Sequence, residues 1–356
     1  MSVPDELRRY VPRTDLYDSL ELVHYHMPVE QPPATASYII FKKGNKTYAK
    51  NGTYGHIEFE DTDATNVIQY AANELTNGGI IHICPGLYLI TKKITITKPY
   101  IWIRGSGRYA TKLKLDDNVN DIMIEITLTE PSTHYLEDAN SIIISDMTLD
   151  GNKASNTTAS TCIYITDSYF PLFKNLAIYN AKDDGIEIWD ADDPKFINLW
   201  VGNCSYGIEF RGGTHDAAVI GCTFQRNNPY GLAITSENAV IGCIFWANAT
   251  GLYITGTENI INGSFEEDTV DGIAILNNDN VVSGAVIKNE GRDGIRIIDA
   301  TDNVITGCRI TGCVGYGVNE TGTSDYTLIC GCNLRGNTTG SYTFVGTNSS
   351  IYGSIT

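Results

Sequence analysis

The sequence predicts an all-β solenoid, a parallel β-helix, and three observations predict it. First, one phrase recurs seven times between residues 184 and 320, a glycine followed by alternating apolar and polar residues. The copies are Gly185-Ile-Glu-Ile, Gly207-Ile-Glu-Phe, Gly231-Leu-Ala-Ile, Gly251-Leu-Tyr-Ile, Gly272-Ile-Ala-Ile, Gly294-Ile-Arg-Ile and Gly317-Val-Asn-Glu. Second, successive glycines are 22, 24, 20, 21, 22 and 23 residues apart, a period that belongs to stacked repeats. Third, the alternation is that of a strand with one face in and one face out. No copy can bury its apolar face alone, so the copies must stack.

The elements follow in chain order. Residues 1–34 read as an irregular segment ending in Gln31-Pro-Pro33, a linker. Residues 35–60 read as a small β module: Tyr38–Phe41 and Lys46–Ala49 flank the turn Gly44-Asn45, and His56–Phe59 supplies a third strand. The β-helix domain spans 61–356 and opens with a capping helix over 63–76. Asp61 and Asp63 are its N-cap candidates, Val67, Ile68, Ala71, Ala72 and Leu75 form its apolar stripe, and Gly78-Gly79 ends it. From Gly79 on, nearly everything is strand and turn. Ile80–Cys84, Tyr88–Ile90, Ile94–Ile96 and Ile101–Ile103 come in quick succession. Segments such as Val281–Ile287 and Val304–Ile310 read as two short strands joined by a bend at a glycine. A polar turn residue follows, at Asn180, Asn203, Asn227, Asn248, Asp268 and Asn289, and it tolerates left-handed geometry. Three short strands per coil make a parallel β-helix of roughly twelve coils.

Composition sets limits on partners. The chain has 356 residues and a net charge of −17. That excludes nucleic acid, whose phosphates need Lys and Arg, and disfavours polyanionic sugars unless Ca2+ bridges the carboxylates. There is no apolar run long enough for a membrane span. Arg8, Arg9 and Arg13 precede no apolar core, so no signal peptide is visible. Either one was removed, or the protein leaves its cell by another route, as virion parts do; an extracellular, cell-surface or virion-surface location is expected. Of nine cysteines, Cys222, Cys243 and Cys308 each follow a glycine at one point of the repeat, which predicts a stack of buried thiols rather than a disulfide framework. Sequons such as those at Asn203 and Asn248 coincide with the structural turn.

At three places the sequence resembles the pectate-lyase-like right-handed β-helix superfamily, and its opening resembles the lyase-3 type branch. The matching segments are Asp63–Ala72, Gly78–Ile90 and Ile103–Thr111. The resemblance implies a right-handed single-stranded helix and a carbohydrate-related role, with members that are lyases, hydrolases, epimerases, tailspikes or non-catalytic surface proteins. One motif of the polygalacturonases is present, in Asp183-Asp184-Gly-Ile-Glu-Ile188. Ser160-Thr161-Cys162, Tyr206-Gly207 and Ala233-Ile-Thr235 stand where the other three would be, so ordinary polygalacturonase activity is not expected.

Stacking converts the repeat into a register in which equivalent residues lie about 4.8 Å apart. Tyr164, Glu187, Glu209, Ala233, Tyr253, Ala274 and Arg296 then form one outward row, and Thr166, Trp189 and Arg211 another. Coils 160–215 thus gather Asp183, Asp184, Glu187, Asp190, Glu209 and Arg211, with Trp189 and His215 nearby. Two glutamates one coil apart repel, raise one carboxyl pKa and make an acid–base couple. Glycosidases use such a couple. Glu187, Glu209, Asp184, Asp190 and Arg211 are the catalytic candidates, and Trp189, Tyr164, Tyr206 and His215 the substrate-binding ones. A Ca2+ site at Asp183, Asp184 and Asp190, with Arg211 or Lys182 as base, is the lyase variant. The expected partner is a polysaccharide or surface glycan, and a homotrimer is the expected assembly of a non-catalytic surface or virion protein. Adjacent acids also arise by chance in so acidic a chain, in which case Arg211 simply neutralises them.

Overall fold

The structure, a computed structural model, describes residues 36–128 and 141–356. The expected irregular segment 1–34 lies outside the described residues. Among those residues the chain is a parallel β-solenoid with eleven strands in one sheet, one per turn, and a second sheet of twenty-three strands. That is one turn fewer than the sequence period suggests. Each coil runs strand, bend, strand, turn, strand, loop. In the coils ending at Ile298 and Thr321, for example, 281–283 and 286–288 precede Ile295–Ile298, and 304–306 and 309–311 precede Tyr316–Thr321.

The bend sits at a residue with positive φ, such as Gly221 (60°), Gly242 (63°), Gly284 (65°) or Gly307 (62°). Within Ala239–Trp246 the strand runs through, but its register with the next coil shifts between Ile241 and Cys243. The left-handed conformation turns the chain without ending its pairing.

Inward positions stack like on like. Phe224, Phe245 and Phe265 are buried in consecutive coils, with ring centroids 4.9 Å and 4.4 Å apart. Cys222, Cys243, Cys308 and Cys332 are buried, and each of the nine cysteines is free. Like residues stack because every coil offers the same shape to the next.

The turn residues divide into two neighbouring columns where the sequence suggested one. Asn180, Asn203 and Asn289 have φ of 57°, 58° and 59° and share a left-handed column with Arg226, Ala247 and Glu267. Asn227, Asn248 and Asp268 stand one position later and are buried. There Asn227 Nδ2 donates to Asn248 Oδ1 at 3.1 Å, and Asn248 Nδ2 donates to Asp268 Oδ1 at 3.0 Å. A second buried ladder, Asn238–Asn259–Asn280, runs along another turn, with amide bonds of 3.0 Å and 2.8 Å.

The helix α1 (Ala64–Glu74) is N-capped by Asp63, whose side chain accepts from the Thr65 N–H at 2.8 Å. Its buried face, Val67, Ile68, Ala71 and Ala72, joins the same core as Ile81, Ile83, Ile90 and Ile94 of the first coil. Gln69 donates to the Thr95 carbonyl at 2.9 Å and accepts from the Thr95 N–H at 2.8 Å. A side-chain amide there makes the two bonds that a neighbouring strand would make, at the open edge of the first strand, Ile94–Ile96. The N-terminal strands are hydrogen-bonded into the solenoid: Tyr38–Lys43 pairs antiparallel with Lys46–Asn51 and parallel with Gly79–Ile83.

Candidate functional site: an arginine-bridged carboxylate cluster

Strands Thr161–Thr166, Asp184–Trp189 and Tyr206–Arg211 lie side by side in the eleven-stranded sheet. Their register places Tyr164 beside Glu187, Glu187 beside Glu209, Trp189 beside Arg211 and Asp184 beside Tyr206. Ile186, Ile188, Ile208 and Phe210 are buried, so the alternation leaves both glutamates on the outer face. The glycine at the second position of the last two strands has a definite cause. A Cβ on Gly185 would collide with the Gly207 carbonyl, and one on Gly207 with the Gly231 carbonyl. The backbones approach too closely there for any side chain.

Arg211 bridges the two glutamates. Its Nε lies 3.1 Å from Glu187 Oε1 and donates to Glu209 Oε2 at 2.9 Å. Trp189 Nε1 donates to the same Glu187 oxygen at 2.9 Å. The guanidinium carbon stands 5.5 Å over the Trp189 ring, a cation–π distance. Burial raises the Glu209 pKa, opposed by Arg211 and assisted by Glu187.

Asp184 completes the cluster. Its residue is only 5% exposed, and Oδ1 is buried with no hydrogen-bond partner. Burial, then the charges of Glu187, Glu209 and Asp183, push its carboxyl up to about 8, with Arg211 opposing. A carboxylic acid that keeps its proton at neutral pH therefore stands beside two glutamates bridged by one arginine. Oxygens of Asp184, Glu187 and Glu209 lie within 4.8 Å of one another.

The other sequence candidates fall elsewhere. Asp183 Oδ2 accepts from the Ser160 N–H at 3.2 Å, on the preceding coil. Asp190 is exposed, has a φ of 48°, and accepts from the Gly213 N–H at 2.6 Å, which is a turn role. The trio expected to hold Ca2+, Asp183, Asp184 and Asp190, is thus not the cluster that forms. The loop takes Asp190 away, and Asp183 pairs with backbone. The cluster that does form suits Ca2+ poorly. Ca2+ takes six to eight oxygens, whereas this cluster offers three carboxylates, two of them already held by Arg211.

His215 joins a different group. Its Nδ1 is 3.0 Å from Asp216 and 3.5 Å from Asp192. Burial alone would lower its pKa, but Asp216, Asp192 and Glu237 together raise it. Trp189 has one face under Arg211, which narrows its use as a sugar platform. Tyr206, which stands outside the outward row of Tyr164 and the two glutamates, begins an aromatic row along the solenoid. Its ring centroid is 5.5 Å from that of Tyr230, and Tyr230 stacks on Tyr253 at 4.1 Å. The Tyr-Gly pairs at 206–207 and 230–231 were the available signal.

Comparisons with known proteins agree on the fold. Residues 101–245 match the family described as "Right handed beta helix region", and residues 176–349 match "Periplasmic copper-binding protein (NosD)". No curated protein matches the chain. Among solved structures, the A-module of the mannuronan C-5 epimerase AlgE4 from Azotobacter vinelandii is 16% identical, with a TM-score of 0.65, covering 82% of this chain and 96% of that one. ORF18 of Geobacillus virus E2 is 19% identical, with a TM-score of 0.56, covering 88% and 69%. Tailspike protein 3 of bacteriophage CBA120 is 13% identical, with a TM-score of 0.54, covering 97% and 69%. The chain therefore has the right-handed parallel β-helix fold. Among the described residues no helix is long and apolar enough to cross a membrane.

Proposed function

We propose that the protein is a polysaccharide-processing enzyme, a glycoside hydrolase whose centre is Asp184, Glu187 and Glu209. The observation that carries this is Asp184: a buried acid holding its proton up to about pH 8, beside two glutamates held by Arg211. Asp184 donates its proton to the leaving glycosidic oxygen, which becomes the partner that Oδ1 lacks. A glutamate of the pair attacks the anomeric carbon as its bond to the leaving oxygen breaks, and Arg211 keeps the two charges together until it does. Water, deprotonated by Asp184, then displaces the glutamate and returns both carboxyls to their starting state. Carboxylate oxygens within 4.8 Å of one another are nearer to the roughly 5 Å of retaining enzymes than to the 6.5–9.5 Å of inverting ones. Tyr164, Tyr206 and Trp189 border the centre and bind the sugar. In this reading the protein works outside the cell or on a cell or virion surface. One fold relative is a bacteriophage tailspike, which supports that setting, and another is a mannuronan epimerase, which supports a polysaccharide substrate.

A second reading is favoured by one specific feature: Arg211 saturates both glutamates, as it would in a non-catalytic glycan-binding or virion β-helix that assembles as a homotrimer. A polysaccharide panel assayed for new reducing ends separates the two. Cleavage by the wild type, with at least a hundred-fold loss in Asp184→Asn and in Glu187→Gln or Glu209→Gln, supports the hydrolase. Wild-type cleavage that survives all three substitutions sinks the assignment, and no cleavage of any polymer favours the binding protein.

A further inference from the structure

Around the turn from the carboxylate cluster lies a cavity of about 700 Å³ that the proposed chemistry does not use. Lys153, Lys182 and Arg226 line it, together with Asn203, Ser205 and Asn228, and no Asp or Glu does. Arg226 and Asn203 continue into a second cavity of about 380 Å³, walled by Tyr179 and Trp200 and again free of acids. The chain carries 42 acidic and 25 basic residues, so a carboxylate-free hollow with three cations runs against its composition. Among the described residues none of the three forms an ion pair. Lys153 Nζ donates to the Asn203 carbonyl and to Asn203 Oδ1, both at 2.6 Å. Arg226 lies 4.9 Å over the Trp246 ring. Asp183, next to Lys182 in sequence, bonds to the Ser160 N–H, and Asp150 is paired with Lys112. Burial first, and the charge of Lys182 after it, lower the Lys153 pKa, against an opposing effect of Cys204. Gathering three cations without a carboxylate costs repulsion, which the hydrogen bonds of Lys153 and the ring under Arg226 offset only in part.

We propose that this cleft binds the acid group of an anionic sugar, a carboxylate or a sulfate, so that the polysaccharide handled by the neighbouring carboxylates is acidic. The proposal rests on the hydrolase reading for what happens next to the cleft, not for binding itself. Three things fit. Lys and Arg supply the charge-assisted hydrogen bonds an oxyanion takes. Asn228 offers a neutral amide for hydroxyls, the Ser205 hydroxyl, which donates to the Lys182 carbonyl, can still accept, and Trp200 offers a face for a sugar ring. The path is also short: Lys182 is two residues before Asp184, at most about 7 Å of chain. The cleft therefore answers the repulsion between an acidic chain and an acidic polymer, by holding the acid group at the cationic edge while the neutral linkage crosses the carboxylates.

Calorimetric titration tests it, with oligogalacturonate and oligomannuronate for carboxylates, a heparin oligosaccharide for sulfates, and maltohexaose as the neutral control. Expected is binding of at least one acidic oligomer at least ten-fold tighter than maltohexaose, weakening as NaCl rises. A Lys153→Gln/Lys182→Gln/Arg226→Gln variant loses that preference, and the exposed Lys182→Gln alone loses part of it, which guards against a misfolded triple variant. The proposal is overturned if no acidic oligomer outbinds the neutral one, or if the triple variant binds like wild type. Acid-selective binding without cleavage of any polymer would leave the cleft standing and remove the hydrolase.

Discussion

Arg211 is the residue on which the site's electrostatics turn. It satisfies Glu187 and Glu209 at once, side chains only 19% and 13% exposed, and it opposes the upward push on Asp184. Two carboxylates in adjacent registered positions destabilise a sheet when unpaired, and half-buried ones lose water they cannot replace. Arg211→Gln should therefore cost about 1–3 kcal/mol at pH 8. At pH 5 the cost should be smaller, because an unpaired glutamate pair can take up a proton that the arginine-bridged pair does not need. Urea unfolding at the two pH values measures this. An equal loss at both would mean that Arg211 contributes packing over Trp189 rather than charge.

A single coil is the element, and its design shows most plainly in the glycines. A Cβ on Gly207 would strike the Gly231 carbonyl and press on Asn227 Nδ2, whereas Gly221, with φ of 60°, has open space around it. Gly221→Ala should thus cost only the left-handed conformation, about 1–2 kcal/mol. Gly207→Ala must also move a backbone that is fixed on both sides, and should cost more, about 3 kcal/mol or above. Thermal unfolding of the two variants gives the order, and the reverse order would refute a steric origin for the repeated glycine. This phrase is also why so much was legible from the chain alone. Glycine fixes the start of each strand, alternation fixes its faces, and the period alone then sets Glu187 beside Glu209 and Trp189 beside Arg211. What was not legible depends on less than one period. Asn203 and Asn227 look alike in sequence, but one is a left-handed turn and the other a buried ladder rung. A coil longer or shorter by a residue decides which. Asp190 and His215 sit in loops, where side-chain direction follows backbone angles that no pattern announces. The basic cleft draws on Lys153, Lys182 and Arg226 from three of four neighbouring coils, and Arg226 follows its strand directly whereas Lys182 stands three residues past Tyr179, so no column of the repeat contains it.

For the whole molecule, burial of acids and total charge act in the same direction. Burial raises Asp184, and also Asp268 and Glu290, adjacent members of one buried turn column in which the Asp268 N–H donates to Glu290 Oε2 at 2.8 Å. A carboxyl with a raised folded pKa binds its proton in the native state over a range where the unfolded chain has lost it. Stability then falls as pH rises from the unfolded value near 4 to the folded value, and is level beyond it. His215, raised by its acidic neighbours, contributes stability that is present below its unfolded value and lost as pH rises through its folded one. Asp61, Asp117 and Asp325 are lowered, by hydrogen bonds that outweigh burial, so they work in the opposite sense, and only below about pH 4. A net charge of −17 at pH 7 adds self-repulsion that grows as the remaining acids ionise. The midpoint of thermal unfolding should accordingly peak near pH 5 and decline towards pH 9. Raising NaCl from 10 to 300 mM should recover part of the decline at pH 9, since about 0.1 M salt already screens charges beyond roughly 10 Å. The buried acids are screened far less, so a residual decline should persist at high salt, and Asp184→Asn should reduce it. A midpoint that is flat or rising between pH 5 and pH 9 would mean that these carboxyls are not held protonated, and would remove the proton donor on which the proposed chemistry depends.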